Sequence, residues 1–159
     1  MDIRNFYLSV FITLFLSLSV YSQSGKIVRI KDGDTVVLLD SDNNQITLRL
    51  AEVDCPESSQ AFGKKAKEFT STEVANKTVS YKIINTDRYG RYIAKIYYNN
   101  KYLSAEIIKN GFGWHYKKYS KSIELSNFES AAKKKKIGLW SSAQNIAPWD
   151  YRNERRNKY

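Results

Sequence analysis

A single cysteine and a single histidine in 159 residues remove most of the chemistry a small protein could draw on. With only Cys55 there is no internal disulfide framework, so stability must come from packing. A zinc site built on two or three histidines is impossible, and so is a cysteine-rich one. A Ser-His-Asp triad would have to use His115, and no nucleophile elbow is present to supply the serine. Internal repeats and a second domain are also missing. If the chain is an enzyme, carboxylates are the candidates for its base and for its metal ligands.

A long hydrophobic run is missing too. The apolar stretch from Phe6 to Val20 is 15 residues, short of the roughly 20 that cross a bilayer. It follows a short segment carrying Arg4, and Val20-Tyr21-Ser22 then offers a cleavage site before Gln23. Residues 1–22 therefore read as a secretory signal peptide cleaved after Ser22, with a retained membrane anchor as the alternative. No cysteine stands at the cleavage point, which excludes a lipoprotein anchor. Residues 23–142 read as one domain, and 143–159 as a basic, aromatic tail in which Arg152, Arg155, Arg156 and Lys158 fray. The expected destination is the periplasm or the medium, as a monomer with no stable membrane association.

What the chain has in excess is positive charge. Lys and Arg number 26 against 16 Asp and Glu, a formal net charge of +10. Loss of residues 1–22 removes Asp2 and Arg4 together and leaves that charge unchanged. So basic a small domain suits a polyanionic partner, most simply nucleic acid, and equally suits solubility or an anionic cell surface.

The order of elements is legible from periodicity. Ile27 to Ile30 and Thr35 to Leu39 are short β-branched runs split by a turn at Lys31-Asp32-Gly33-Asp34. After a second turn at 41–44, Ile46, Leu48 and Leu50 alternate with Thr47, Arg49 and Ala51, the period of a strand. From Phe62 to Val74 the period becomes helical. Thr78 to Ile84 and Arg91 to Tyr98 read as strands around a turn at Asp87 to Gly90. Ser104 is expected to cap a second helix ended by Gly111, and a third runs from Glu124 to Ile137. The order β-β-β-α-β-β-α-α, mainly β with α, is that of a five-stranded OB-fold barrel with three helices.

Three short segments carry the chemistry: Asp32-Gly33-Asp34-Thr35; Arg49 followed by Asp54-Cys55-Pro56-Glu57; and Asp87-Arg88-Tyr89-Gly90-Arg91. Two aspartates and a main-chain carbonyl can hold a hard cation that prefers oxygen. A glutamate can handle water, and arginine's planar fork binds phosphate oxygens. Each residue also has an ordinary reading. Asp32 and Asp87 suit local turn bonding, Arg49 a solvated strand face, and Cys55 a small filler.

Together and in this order, the segments resemble the staphylococcal nuclease (thermonuclease) family, from about Lys26 to Trp140. The resemblance implies an OB-fold barrel and calcium-dependent hydrolysis of DNA and RNA at the P–O5′ bond, leaving 3′-phosphates. It implies that Asp34 and Asp54 hold the calcium with the Cys55 backbone carbonyl. It implies Glu57 as general base or water positioner, and Arg49 and Arg91 on the phosphate. Arg88 and Tyr89 would line the nucleotide pocket. Tyr119 would help bind the base or terminal phosphate, with Tyr116 its competitor. In one place the chain departs from the family's best-known member: Glu57 is followed after only Ser58-Ser59-Gln60-Ala61 by Phe62, where that member has a long loop. The catalytic positions are untouched, and the change bears on substrate access. The rival readings are an OB-fold module that holds nucleic acid without cutting it, and a basic protein of the cell surface.

Overall fold

The computed structural model describes residues 23–143 and 145–157. The segment read as a signal peptide, and Lys158 of the tail, lie outside these residues.

The alternation seen in the sequence becomes strand geometry. β1 (Gln23–Asp32), β2 (Thr35–Leu39) and β3 (Gln45–Leu50) form an antiparallel meander. On β3, Leu48 and Leu50 are buried, while Arg49 points to the other side. A two-residue strand β4 (Val53–Asp54) and helix α1 (Gly63–Val74) follow, then β5 (Thr78–Thr86) and β6 (Tyr92–Tyr98). β5 pairs with β1 and β6, and β6 runs parallel to β3 from Leu48↔Tyr92 to Leu50↔Ala94. That last pairing closes β1, β2, β3, β5 and β6 into a five-stranded barrel of OB type.

Short β7 (Lys101–Tyr102) extends the sheet into α2 (Leu103–Lys109). β8 (Trp114–His115) pairs with β4, and α3 spans Ile123–Lys134. A 3-10 turn (Gly138–Ser141) precedes α4 (Pro148–Arg156). Ile27, Leu38, Leu48 and Ile96 fill the barrel, and Ala66 and Val74 of α1 and Ile107 and Ile108 of α2 join the same core. Full burial of each large aliphatic side chain is worth about 1.5–3 kcal/mol.

Three expectations are corrected. Ser104 does not cap α2. It lies inside the helix, buried, and its hydroxyl donates to the Ala51 carbonyl at 2.8 Å. α3 starts at Ile123, because Ser122 accepts the Leu125 N–H at 3.2 Å, and it ends at Lys134 rather than Ile137. Finally, the helices among the described residues number four rather than three. The basic tail contains α4, with Pro148 in its first turn, Asp150 beside it, and Arg155 and Arg156 in its last. Each charge favours the helix dipole at its own end.

Gly111 and Gly138 must both be glycine. Each has a left-handed φ, and a Cβ on Gly138 would lie 2.2 Å from the Gly111 carbonyl oxygen. The contact locks the end of α2 to the turn after α3. Among the described residues, no helix is long and apolar enough to cross a membrane.

Candidate active site

The site is built by a backbone reversal. Thr35 pairs with Arg49 across β2 and β3, and the Leu50 N–H donates to the Asp34 carbonyl at 2.8 Å. The chain then turns sharply through Ala51 and Glu52, whose φ of 67° is left-handed. Arg49 braces this reversal from within. Its Nη1 donates to the carbonyls of Leu50 at 3.1 Å and Val53 at 3.0 Å. The return strand β4 therefore brings Asp54 Oδ1 to 2.8 Å from Arg49 Nη2. Asp34 Oδ2 lies 3.0 Å from Nη1 of the same guanidinium. Gly33 permits the close approach of the β1–β2 turn, since a Cβ there would meet the Cβ atoms of Ala66 and Cys55, both at 2.8 Å.

Three further acids lie near this pair, each in a different setting. Glu52 turns away into a structural cluster, taking hydrogen bonds from Tyr102 and Ser120 and an ion pair from Lys95. Asp32 accepts the Asp34 N–H at 3.2 Å, as a turn residue does. Burial, and then the charge of Asp34, push Asp32 up to about 6. Glu57 lies past Pro56, part-exposed, with its carboxylate facing the same cleft as Asp34 and Asp54.

The structure also brings in a residue the sequence reading left in the tail. Arg152 of α4 places Nη2 2.8 Å from Asp54 Oδ2 and Nη1 2.7 Å from Glu57 Oε1. Arg49 and Arg152 thus flank Asp54. Its sequence signal was faint: an arginine one turn after Pro148-Trp149 in a segment whose aromatic rings imply docking.

The remaining predicted residues line the same cleft. Arg91 is held by Asp87, whose Oδ2 accepts from Arg91 Nε at 2.8 Å and whose Oδ1 accepts the backbone N–H groups of Tyr89 and Arg91. Arg88 donates to the Tyr89 hydroxyl at 2.7 Å and lies over its ring. Tyr89 and Tyr119 are both about two-thirds exposed, at 69% and 67%. Tyr116 stacks flat on Trp149, their rings 5.5 Å apart, and meets Tyr119 edge-on. Trp114 is buried against Trp140 and Trp149, so it belongs to packing.

Cys55 is buried, and burial, then the Asp34 charge, push its thiol well up, which keeps it from acting as a nucleophile. His115 is buried too. Its Nδ1 pairs with the Ser126 hydroxyl at 3.0 Å, and burial pushes its pKa down.

Among the described residues, no three acidic, Cys or His side chains form a ready-made metal cage. The donor set nevertheless fits a hard cation. Burial, with the nearby charge of Asp34, pushes Asp54 up, and only Arg152 and Arg49 oppose that. Asp32, Asp34, Asp54 and Glu57 together carry more carboxylate than these two guanidiniums neutralise. Asp34 Oδ2 and Asp54 Oδ1 each already take two donors, whereas Asp34 Oδ1 and Asp54 Oδ2 each accept one and keep a lone pair for a cation. An all-oxygen, net-acidic set of this kind suits calcium rather than zinc.

A family model described as staphylococcal nuclease homologue matches residues 47–142. That stretch contains Arg49, Asp54, Glu57 and Arg91; Asp34 precedes it and Arg152 follows it. An uncharacterized endonuclease of Haemophilus influenzae is 37% identical over 154 residues, which cover 95% of this chain and 86% of that protein. An uncharacterized endonuclease of Escherichia coli is 32% identical over 132 residues, 82% of this chain and 86% of its own length. The staphylococcal-like nuclease CAN1 of Arabidopsis thaliana is 37% identical over 109 residues; they span 69% of this chain and 34% of the plant protein.

Proposed function

The chain belongs to the staphylococcal nuclease family, and from that premise we propose that it is a calcium-dependent nuclease, secreted or periplasmic. It hydrolyses phosphodiester bonds of DNA and RNA with little sequence specificity. The observation that carries this reading is the meeting of two buried aspartates, Asp34 and Asp54, on one guanidinium, with Glu57 facing the same cleft. The net charge of +10 supports a polyanionic substrate.

Asp34, Asp54 and the Cys55 carbonyl are the residues that would hold calcium. The ion, when bound, supplies neutralisation of phosphate charge and lowers the proton affinity of a water. The rest falls to the chain's own groups. Glu57 takes the proton of the attacking water at its carboxylate, and its part-exposed position leaves room for that water. Arg49 and Arg91 stabilise the charge that develops on the phosphate as the water attacks in line. Arg88 and Tyr89 flank the nucleotide, and Tyr119 offers a ring on which a base can stack. Cleavage at P–O5′ follows the family pattern: as the water oxygen bonds to phosphorus, the 5′ oxygen departs, takes a proton from water or Arg91, and a 3′-phosphate remains. The protein acts as a monomer.

The test is the purified protein with denatured DNA, and separately with RNA, in millimolar calcium or in chelator, followed over time on a gel. Loss of full-length substrate only with calcium supports the reading. Retarded but intact nucleic acid in both conditions would replace it with an OB-fold binding module.

A further inference from the structure

The contact between α4 and the acids goes beyond the family match, which stops ten residues short of Arg152. We infer that Arg152 is a positioning residue of the hydrolytic site, one that holds the Glu57 carboxylate in place beside Asp54. The inference rests on the reading of Glu57 as the base.

Three observations carry it. First, among the described residues the Glu57 carboxylate has one hydrogen-bond partner, Arg152 Nη1 at 2.7 Å. Its own loop fixes only its backbone, through the Glu57 N–H to Gln60 Oε1 and the Gln60 N–H to the Glu57 carbonyl. Arg152 is therefore the hydrogen-bond partner that selects the rotamer of a side chain that is 38% exposed. Second, Arg152 is a fork across two acids. Nη2 lies 2.8 Å from Asp54 Oδ2, and Nη1 lies 3.3 Å from Asp54 Oδ1. The rigid guanidinium therefore fixes the offset between the two carboxylates, which a flexible ammonium would fix less well.

Third, α4 is docked by contacts that do not involve Arg152. Trp149 stacks on Tyr116 at 5.5 Å, and Pro148 is buried. The Tyr151 hydroxyl lies 3.0 Å from Ser59 Oγ, and Gln60 Nε2 donates to the Ile146 carbonyl. Those anchors deliver the arginine to a defined place. Arg49 cannot substitute for it. Among the described residues its hydrogen bonds and ion pairs run to Leu50, Val53, Asp34 and Asp54, and none reaches Glu57.

The test compares the full chain with R152Q, R152K, E57Q and the R152Q/E57Q double variant. It measures kcat and KM on single-stranded DNA with calcium, and thermal unfolding without calcium. R152Q is expected to lower kcat about 10²-fold, the scale of a small misplacement at a reacting centre, and to change KM much less. R152K is expected to recover part of that loss. On the E57Q background, R152Q should cost nothing further, because its effect passes through Glu57. The unfolding midpoints should likewise be coupled, with the double variant no less stable than the worse single one.

An R152Q kcat equal to wild type would overturn the inference. A raised kcat would overturn it too, and would make α4 a plug. Losses that multiply in the double variant would show Arg152 acting on its own rather than through Glu57. A wild-type chain that cuts nothing in calcium sinks the nuclease reading and this inference with it. An active wild type matched by R152Q sinks the inference alone.

Discussion

The carboxylate of Asp34 accepts the backbone N–H of Cys55 at 2.7 Å, and so fastens the β1–β2 turn to the segment after β4. Asp34 is thus a structural tie as well as a proposed metal ligand, and two substitutions should separate the roles. Asp34→Ala leaves the buried Cys55 N–H without its partner and Arg49 with one acid fewer, at a cost of about 1–3 kcal/mol. Asp34→Asn keeps a carbonyl oxygen that can accept the same N–H, so it should be closer to wild type in calcium-free thermal unfolding. Both should lose calcium-dependent cleavage. An Asp34→Ala protein as stable as wild type would remove the structural role.

Glu57 has the opposite profile. It is part-exposed and its carboxylate is tied to Arg152, so Glu57→Gln should lower the unfolding midpoint only slightly, by the worth of one part-exposed ion pair. Turnover should fall by about 10²–10⁴, the range for losing a general base. Near-normal turnover in Glu57→Gln would assign the proton transfer to another group.

Most of this site was legible because it rests on local grammar. Asp-Gly-Asp announces a turn, alternation places Leu48 and Leu50 inward and Arg49 on the opposite face, and Pro56 fixes the approach to Glu57. The turn role of Asp87 was equally plain, since an aspartate four residues before Arg91 can accept both its N–H and its guanidinium. What was not legible is tertiary. The parallel β3–β6 pairing that closes the barrel joins residues more than forty apart, and no local pattern encodes it. Ser104 has the composition of a cap, but the buried Ala51 carbonyl claims its hydroxyl. Arg152 reaches Asp54 across 98 positions. It sits in a segment so charged that it read as solvated tail, because the docking energy comes from the three rings of Trp149, Tyr116 and Trp114 rather than from an apolar stripe.

The grip of Asp87 on Arg91 yields a further prediction. Two N–H groups and the guanidinium all converge on one carboxylate. Asp87→Ala should release both the turn and the arginine, lowering kcat/KM for single-stranded DNA by about tenfold. Asp87→Asn keeps one acceptor for the turn and should lie between it and wild type. Because the loop is at the surface, the unfolding midpoint should hardly move. An Asp87→Ala enzyme with unchanged kcat/KM would mean that Arg91 does not need this support.

Two acids should make opposite contributions to stability as pH changes. Burial pushes Glu129 up, but hydrogen bonds from Lys117 and Lys133 outweigh it and hold the carboxyl below its ordinary value of 4.5. Its stabilisation is therefore present above that value and is lost as pH falls through the folded one. Asp32 runs the other way. Burial and Asp34 raise it from 3.8 to about 6, so the folded chain holds a proton that the unfolded chain releases. Its protonated form is favoured at low pH, and stability is lost as pH rises from about 4 to about 6. Accordingly, Glu129→Gln should lower the urea midpoint near neutral pH, with the deficit shrinking in acid. Asp32→Asn keeps an acceptor for the Asp34 N–H without the charge. In calcium-free buffer it should raise the midpoint near neutral pH, with the gain vanishing below about pH 4. A gain from Asp32→Asn that persisted undiminished in acid would show that the substitution acts through packing and not through the buried charge.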